Sequence, residues 1–184
     1  MALFRKRAAQ SEFWRVPPMT GPPETLYQRG IMAVTSGDGP MMMRAGWTLW
    51  HMSGMENFQA FNFLTDGYDS WKGKDAAPYS ERLRFLQDLF GTLEEQPSPP
   101  VPPDIYNAPP ESVQAAAAYF CALAWAGSQL WTEADAANDA ETMGGYEARI
   151  YRALASSHRD FLPPRSIEIA GLLAARLGVD NPFG

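Results

Sequence analysis

Apolar residues recur at helical spacing through most of this chain. The most regular segment begins after Ser80, and polar residues separate its apolar positions. Those apolar positions are Leu83, Leu86, Leu89, Phe90 and Leu93. Because a spacing of three to four residues places side chains on one face of an α-helix, the segment is predicted to be an amphipathic helix packed on a core.

Two further helices are expected before that segment. Pro22 and Pro23 favour a helix start. Leu26, Tyr27, Ile31 and Val34 then recur at near-helical spacing, and residues 36–40 are expected to end this helix. Glycines at positions 30 and 46 weaken helices, so a small β-hairpin near residues 31–49 is the alternative for this region. Residues 53–56 form a capping-box pattern that predicts the next helix, which residues 66–67 are expected to end.

The C-terminal half predicts helices throughout. An Ala-rich helix is expected at about 111–131, an acidic helix up to Gly144 and Gly145, another over about 146–161, and a last one from Pro164 to Gly178. The twenty residues from 112 to 131 carry no charge, which is the length of a membrane span. Alanine contributes little transfer energy and no Lys or Arg flanks the segment, so we expect a central helix packed by other helices.

Residues 96–110 form a proline-rich segment that holds seven of the sixteen prolines. Proline fixes φ and removes a hydrogen-bond donor, so the segment is expected to be extended. It suits a linker or a strip recognised by an aromatic groove. Val101, Ile105 and Tyr106 would be unusual in a free tether, which favours a strap lying over the protein's own core.

The predicted fold is mainly α: an irregular helical bundle with a Pro-rich extended connection. Its parts are a basic and aromatic N-terminal arm (1–21), an N-terminal helical part (22–95), the strap (96–110) and a C-terminal helical part (111–184). Each helical part is short for an independent domain, so the two are expected to share one core.

Charge divides the chain unevenly around a formal net charge of −6. The N-terminal arm is basic, and its candidate partner-binding residues are Phe4, Arg5, Lys6, Arg7, Phe13 and Trp14. These residues suit an anionic protein surface, nucleic-acid phosphates or lipid headgroups, while a solvated tail and a mitochondrial-type presequence remain alternatives. Nucleic acid is not favoured, because the net charge opposes it. No apolar core of a signal peptide follows the cations, so the expected location is cytoplasmic.

Methionine and tryptophan cluster between residues 32 and 55. The candidate partner-binding residues of this Met/Trp cluster are Met41, Met42, Met43, Trp47 and Trp50. Methionine serves adaptable binding surfaces and irregular cores alike, so both interpretations stay open. Thioethers and imidazole also suit Cu(I), which makes His51, Met52 and Met55 a weaker candidate metal site.

No catalytic motif accompanies these features. Cys121 lies in an uncharged helix where nothing lowers the pKa of its thiol, and one cysteine forms no internal disulfide. His158 belongs to a Ser-His-Arg-Asp run that lacks a kinase context, and we expect it to cap a helix C-terminus. Residues 133–147 are acidic without calcium-loop spacing and suggest a solvated face.

The sequence therefore favours a non-enzymatic interaction or structural subunit of a larger protein assembly, with other protein subunits as partners and no cofactor. An enzyme or small-molecule binder with a pocket near the Met/Trp cluster is the alternative, and a Cu(I)-binding protein is the weaker one.

Overall fold

The computed structural model describes residues 23–53, 58–73 and 79–184. Contacts between backbone positions divide the chain into two compact units, Met1–Arg84 and Phe85–Gly184. The boundary falls inside a helix and not in the proline-rich segment. A core shared by residues 22–95 and 111–184 stays a prediction.

The described residues are mainly helical, which confirms the predicted fold class. The first unit contains α1 (Pro23–Ser36), α2 (Gly39–Ser53) and α3 (Phe58–Gly73), and α4 (Tyr79–Glu95) crosses into the second unit. The hairpin alternative near residues 31–49 is wrong, because both of its presumed strands are helical. Asp38 ends the tight turn between α1 and α2, where its carboxylate accepts a hydrogen bond from Met41 N at 3.0 Å.

Glycines let the helices of the first unit approach closely. A Cβ at Gly46 would lie 2.6 Å from the carbonyl oxygen of Ala60, so α2 and α3 touch through their backbones. A Cβ at Gly67 would lie 2.7 Å from Cγ of Met43. The expected helix end at residues 66–67 is therefore wrong: Gly67 is a contact point within α3, which continues to Gly73.

The second unit combines the end of α4 with α5 (Pro110–Ala136), α6 (Ala140–Ala155), a 3₁₀ turn (Arg159–Phe161) and α7 (Pro164–Leu177). The predicted stripe of α4 is buried throughout, and so is most of α5 from Ala116 onwards. Proline occupies the first turn of α5 and of α7, where it forfeits no helical hydrogen bond. Gly178 caps α7 in the left-handed conformation (φ 67°), as its position in the sequence predicts.

The expected helix break at Gly144 and Gly145 is also wrong. The chain turns earlier, at Asn138, which adopts a positive φ of 54°. Asp139 then caps α6, because its side chain accepts a hydrogen bond from the backbone N–H of Thr142 at 3.0 Å. The two glycines lie inside α6 with open space around them, so the helix tolerates their low propensity.

The proline-rich segment contains neither helix nor strand between Gln96 and Pro109. Asp104 organises its turn by accepting from the backbone N–H of Tyr106 at 3.0 Å. The Tyr106 ring is 83 % exposed, but its hydroxyl donates to the Asp160 carboxylate at 2.8 Å. This bond ties the segment to the 3₁₀ turn, while Val101 and Ile105 are half-buried.

No helix of the described residues has both the length and the apolar character that a membrane crossing requires. The Ala-rich helix α5, which matches a span in length, ends in Glu133 and Asp135 inside its last turns. Glu133 is itself buried, at 6 % exposure, so the acidic residues of 133–147 do not form one solvated face.

Candidate functional site

The basic and aromatic arm lies outside the described residues. Its candidate positions are Phe4, Arg5, Lys6, Arg7, Phe13 and Trp14. Their part in partner binding stays a prediction.

The Met/Trp cluster divides between core and surface. Met42, Met43 and Trp50 are buried, with exposures of 4 %, 0 % and 1 %. Their burial supports the core interpretation for these three side chains, and partner binding through them stays a prediction. Met41 and Trp47 are half-buried and retain an accessible part. The reason is helical geometry, since consecutive methionines on α2 point in different directions.

The candidate Cu(I) ligands are not described as a set. The side chains of His51 and Met52, and all of Met55, lie outside the described part of the structure. Within the part that is described, no group of three or more His, Cys, Asp or Glu side chains is arranged to hold a metal ion. Copper binding stays a prediction.

An exposed apolar surface lies on α1. Ile31, Met32 and Val34 are 58 %, 69 % and 51 % exposed, and we call these three residues the α1 apolar face. The opposite side of the helix is buried at Gly30 and Ala33. Apolar spacing alone would turn Ile31 and Val34 toward a core, but both side chains are exposed.

The reversal of α1 follows from a close contact at Gly30. A Cβ at this position would lie 2.4 Å from the Phe63 ring of α3. The small residues of α1 therefore face inward, because only they leave room for that ring. Small residues such as Gly30 and Ala33 can also mark the contact face of a helix. That signal in the sequence would have oriented α1 correctly.

A groove of about 260 Å³ lies in the second unit, between the end of α4, the start of the proline-rich segment, α5 and α6. Its floor is formed by Tyr119, Phe120 and Leu123 of α5, which are all nearly buried. Arg149 and Arg152 lie on its α6 wall, one helical turn apart. Sequence reasoning missed this groove, and the only signal for it was two arginines spaced three residues apart on a helix.

Arg149 is held in place on both its edge and its face. Its Nε donates to the two Glu94 carboxylate oxygens at 3.1 and 3.3 Å, and a terminal nitrogen forms a further short ion pair with the same carboxylate. The guanidinium carbon lies 4.5 Å from the centre of the Tyr146 ring and 5.6 Å from that of Phe90. The hydrogen bonds that Arg149 donates to Glu94 raise the pKa of Arg149, so the guanidinium stays charged.

Tyr119 lies in the floor of the groove and is hydrogen-bonded to the end of α4. Its hydroxyl donates to the carbonyl oxygen of Leu93 at 3.1 Å. The carbonyl oxygen of Gln96 is a second, more distant acceptor at 3.4 Å. Leu93 is in the last turn of α4, where carbonyl oxygens lack helical partners, and Gln96 follows the helix directly. Burial raises the pKa of the Tyr119 phenol, so the group stays a neutral donor.

Cys121 and His158 have structural roles. The Cys121 thiol donates to the carbonyl oxygen of Phe161 at 2.6 Å, and burial raises its pKa, which disfavours the reactive thiolate. His158 does not cap the C-terminus of α6 as expected; it precedes the 3₁₀ turn, and its Nδ1 accepts from Asp160 N at 3.3 Å. Neither residue is part of the groove.

Comparison of the chain with protein-family models, with curated proteins and with solved structures found no match.

Proposed function

We propose that this chain is a non-enzymatic interaction subunit of a larger protein assembly. The observation that carries the proposal is the α1 apolar face, where three large apolar side chains are each at least half exposed. Several large apolar side chains exposed on one helix are typical of surfaces that a partner covers. The partners that fit are other protein subunits with an apolar groove.

The free energy available from this face is modest. Fully burying one such side chain contributes about 1.5–3 kcal/mol, so burying the exposed half of each contributes about 1 kcal/mol. The three side chains together then supply about 3 kcal/mol, or roughly a hundredfold in the binding constant. A stable complex needs further contacts, and the candidates are the accessible parts of Met41 and Trp47 on α2 and the basic arm.

Helical geometry supports a partner of defined shape. Ile31 and Val34 are three residues apart and lie on adjacent turns of α1, with the polar Gln28 and Thr35 exposed beside them. This is the pattern of a helix whose apolar stripe lies in a groove of another protein. The cytoplasmic location inferred from the sequence goes with this proposal.

The test compares complexes recovered from the native source with three forms of a tagged chain: the natural sequence, Met32→Glu and Gln114→Glu. Gln114 is an exposed polar residue of α5, so its substitution adds the same charge away from α1. Size-exclusion chromatography with light scattering gives the mass of each complex. We expect a defined hetero-complex with the natural chain and with Gln114→Glu, and its loss with Met32→Glu.

Two results would contradict the proposal. One is a monomeric natural chain with no stoichiometric partner in the native extract. The other is a complex that survives Met32→Glu unchanged, since a carboxylate placed in an apolar interface is costly to bury. Circular dichroism of each variant shows whether a loss of binding is a loss of fold.

A further inference from the structure

The groove of the second unit contains polar groups that the fold does not use. Among the described residues, Arg152 has no carboxylate partner, and its Nε donates only to the carbonyl oxygen of Ala148 at 3.2 Å. That bond fixes the direction of the side chain and leaves both terminal nitrogens available. The side chains of Gln96 and Ser98 also line the groove and form no hydrogen bond within the described structure.

The charges in the groove leave one cation unbalanced. Glu94 is the groove's acidic residue, and Arg149 neutralises it through several hydrogen bonds. Arg152 therefore remains as a positive charge. A guanidinium with free terminal nitrogens suits a planar or tetrahedral oxyanion, because it donates two parallel hydrogen bonds.

The ends of α4 and α6 border the groove, and their negative dipole ends would oppose an anion. One carbonyl oxygen at each of these two ends already has a backbone donor. Gln96 N donates to the carbonyl of Leu93 at 3.2 Å, and Ser156 N donates to that of Arg152 at 3.1 Å. The hydroxyl of Tyr119 adds a second donor at the end of α4. These donors reduce the negative potential at the two helix ends, and the terminal nitrogens of Arg152 are the donors left for an anion.

The size and floor of the groove limit the ligand further. A volume of 260 Å³ corresponds to roughly nine water molecules at about 30 Å³ each, which suits a ligand of about ten heavy atoms. Phe120 and Leu123 line the groove beside the donors, and at 3 % and 4 % exposure they present a small apolar area to a ligand. We infer that this groove binds a small organic oxyanion, a phosphate monoester or a carboxylate on an apolar group, with Arg152 as its charge partner.

The experiment titrates ¹⁵N-labelled full-length chain with four probes and follows the backbone resonances of the groove. Phenyl phosphate and phenylacetate carry the two anionic groups on the same ring, inorganic phosphate lacks the ring, and benzylamine reverses the charge. We expect saturable binding of at least one aromatic anion. Tighter binding of phenyl phosphate assigns the site to phosphate esters, and tighter binding of phenylacetate assigns it to carboxylates.

Variants test the assigned contacts. Arg152→Gln is expected to weaken the aromatic anion at least about tenfold, since a hydrogen bond to a charged group is lost. Arg165→Gln, which removes an exposed cation of α7 outside the groove, is expected to leave the affinity unchanged. Ala153→Phe fills the groove while keeping Arg152, and it is expected to abolish binding.

Several outcomes would overturn the inference. These are the absence of saturable binding, equal binding of benzylamine at the same resonances, inorganic phosphate binding as tightly as phenyl phosphate, and unchanged affinity in Arg152→Gln. The site lies in the second unit and does not include the α1 apolar face. The oxyanion inference and the proposed function can therefore each fail without the other. Arg152 is exposed, so its replacement is expected to keep the fold, which thermal unfolding of the variants checks.

Discussion

Replacing Gly46 with alanine tests the close approach of α2 and α3. The new Cβ would lie 2.6 Å from the carbonyl oxygen of Ala60 and 3.0 Å from the backbone nitrogen of Leu64. Both are backbone atoms of α3, so no side chain can turn away to make room. The helices would have to separate by about 0.8 Å to restore an ordinary contact.

The magnitude follows from two opposing effects. Overpacking a close contact costs about 1–3 kcal/mol, and a backbone clash belongs at the upper end. Replacing glycine by alanine inside a helix returns about 1 kcal/mol through helix propensity. The expected net loss is about 2 kcal/mol in the free energy of unfolding, which corresponds to roughly 8–16 °C in the melting temperature of a unit of this size.

The matched control is Gly145→Ala on α6. A Cβ there meets no atom within 4 Å, so only the propensity gain remains, about 1 kcal/mol of stabilisation. Urea unfolding followed by circular dichroism measures both variants. If Gly46→Ala proves neutral or stabilising, like the control, then α2 and α3 do not touch through their backbones and the arrangement of the first unit is incorrect.

Three further substitutions probe the second unit. Asp139→Ala removes the cap of α6 and is expected to cost about 1 kcal/mol of unfolding free energy in urea titration; no change would mean that the cap is not formed. Glu94→Gln breaks a partly exposed ion pair with Arg149. We expect a loss of at most about 1 kcal/mol in the free energy of unfolding, and this loss should shrink in high salt. A loss that does not depend on salt would contradict this role of the pair. Because burial raises the pKa of Cys121, its thiol should react with a disulfide reagent at pH 8 far more slowly in the folded chain than in urea, whereas equal rates would refute the burial.

Much of the helical architecture could be predicted from the sequence, because helix starts and ends carry local signals. Proline at the first turn and Gly178 after the last one placed the boundaries of α7. The amphipathic stripe of α4 also identified its buried face. Such signals depend on a few neighbouring residues and need no knowledge of the tertiary contacts.

Glycine was the main source of error, since its meaning depends on distant residues. Gly67 resembled a helix end, but it accommodates Met43 of α2 within a continuous helix. Gly144 resembled a break, but it is an ordinary exposed position of α6. The neighbouring sequence does not show whether a glycine is a contact point between helices, a helix break or a tolerated position within a helix.

The candidate sites depended still more on tertiary structure. The groove joins Glu94 to Arg149, which are 55 residues apart, and no local pattern links them. The orientation of α1 depended on the Phe63 ring lying against Gly30. Composition correctly drew attention to the methionines, yet burial of Met42 and Met43 was fixed by how α2 packs.

The most direct measurement of the proposed function is site-specific photo-crosslinking in extracts of the native source. A benzophenone amino acid would replace Met32 on the α1 apolar face or, as the control, Gln114 on α5. The proposed interaction predicts one discrete crosslinked partner from position 32 and none from position 114. No crosslink at position 32, or the same products from both positions, would contradict a partner-binding role for α1.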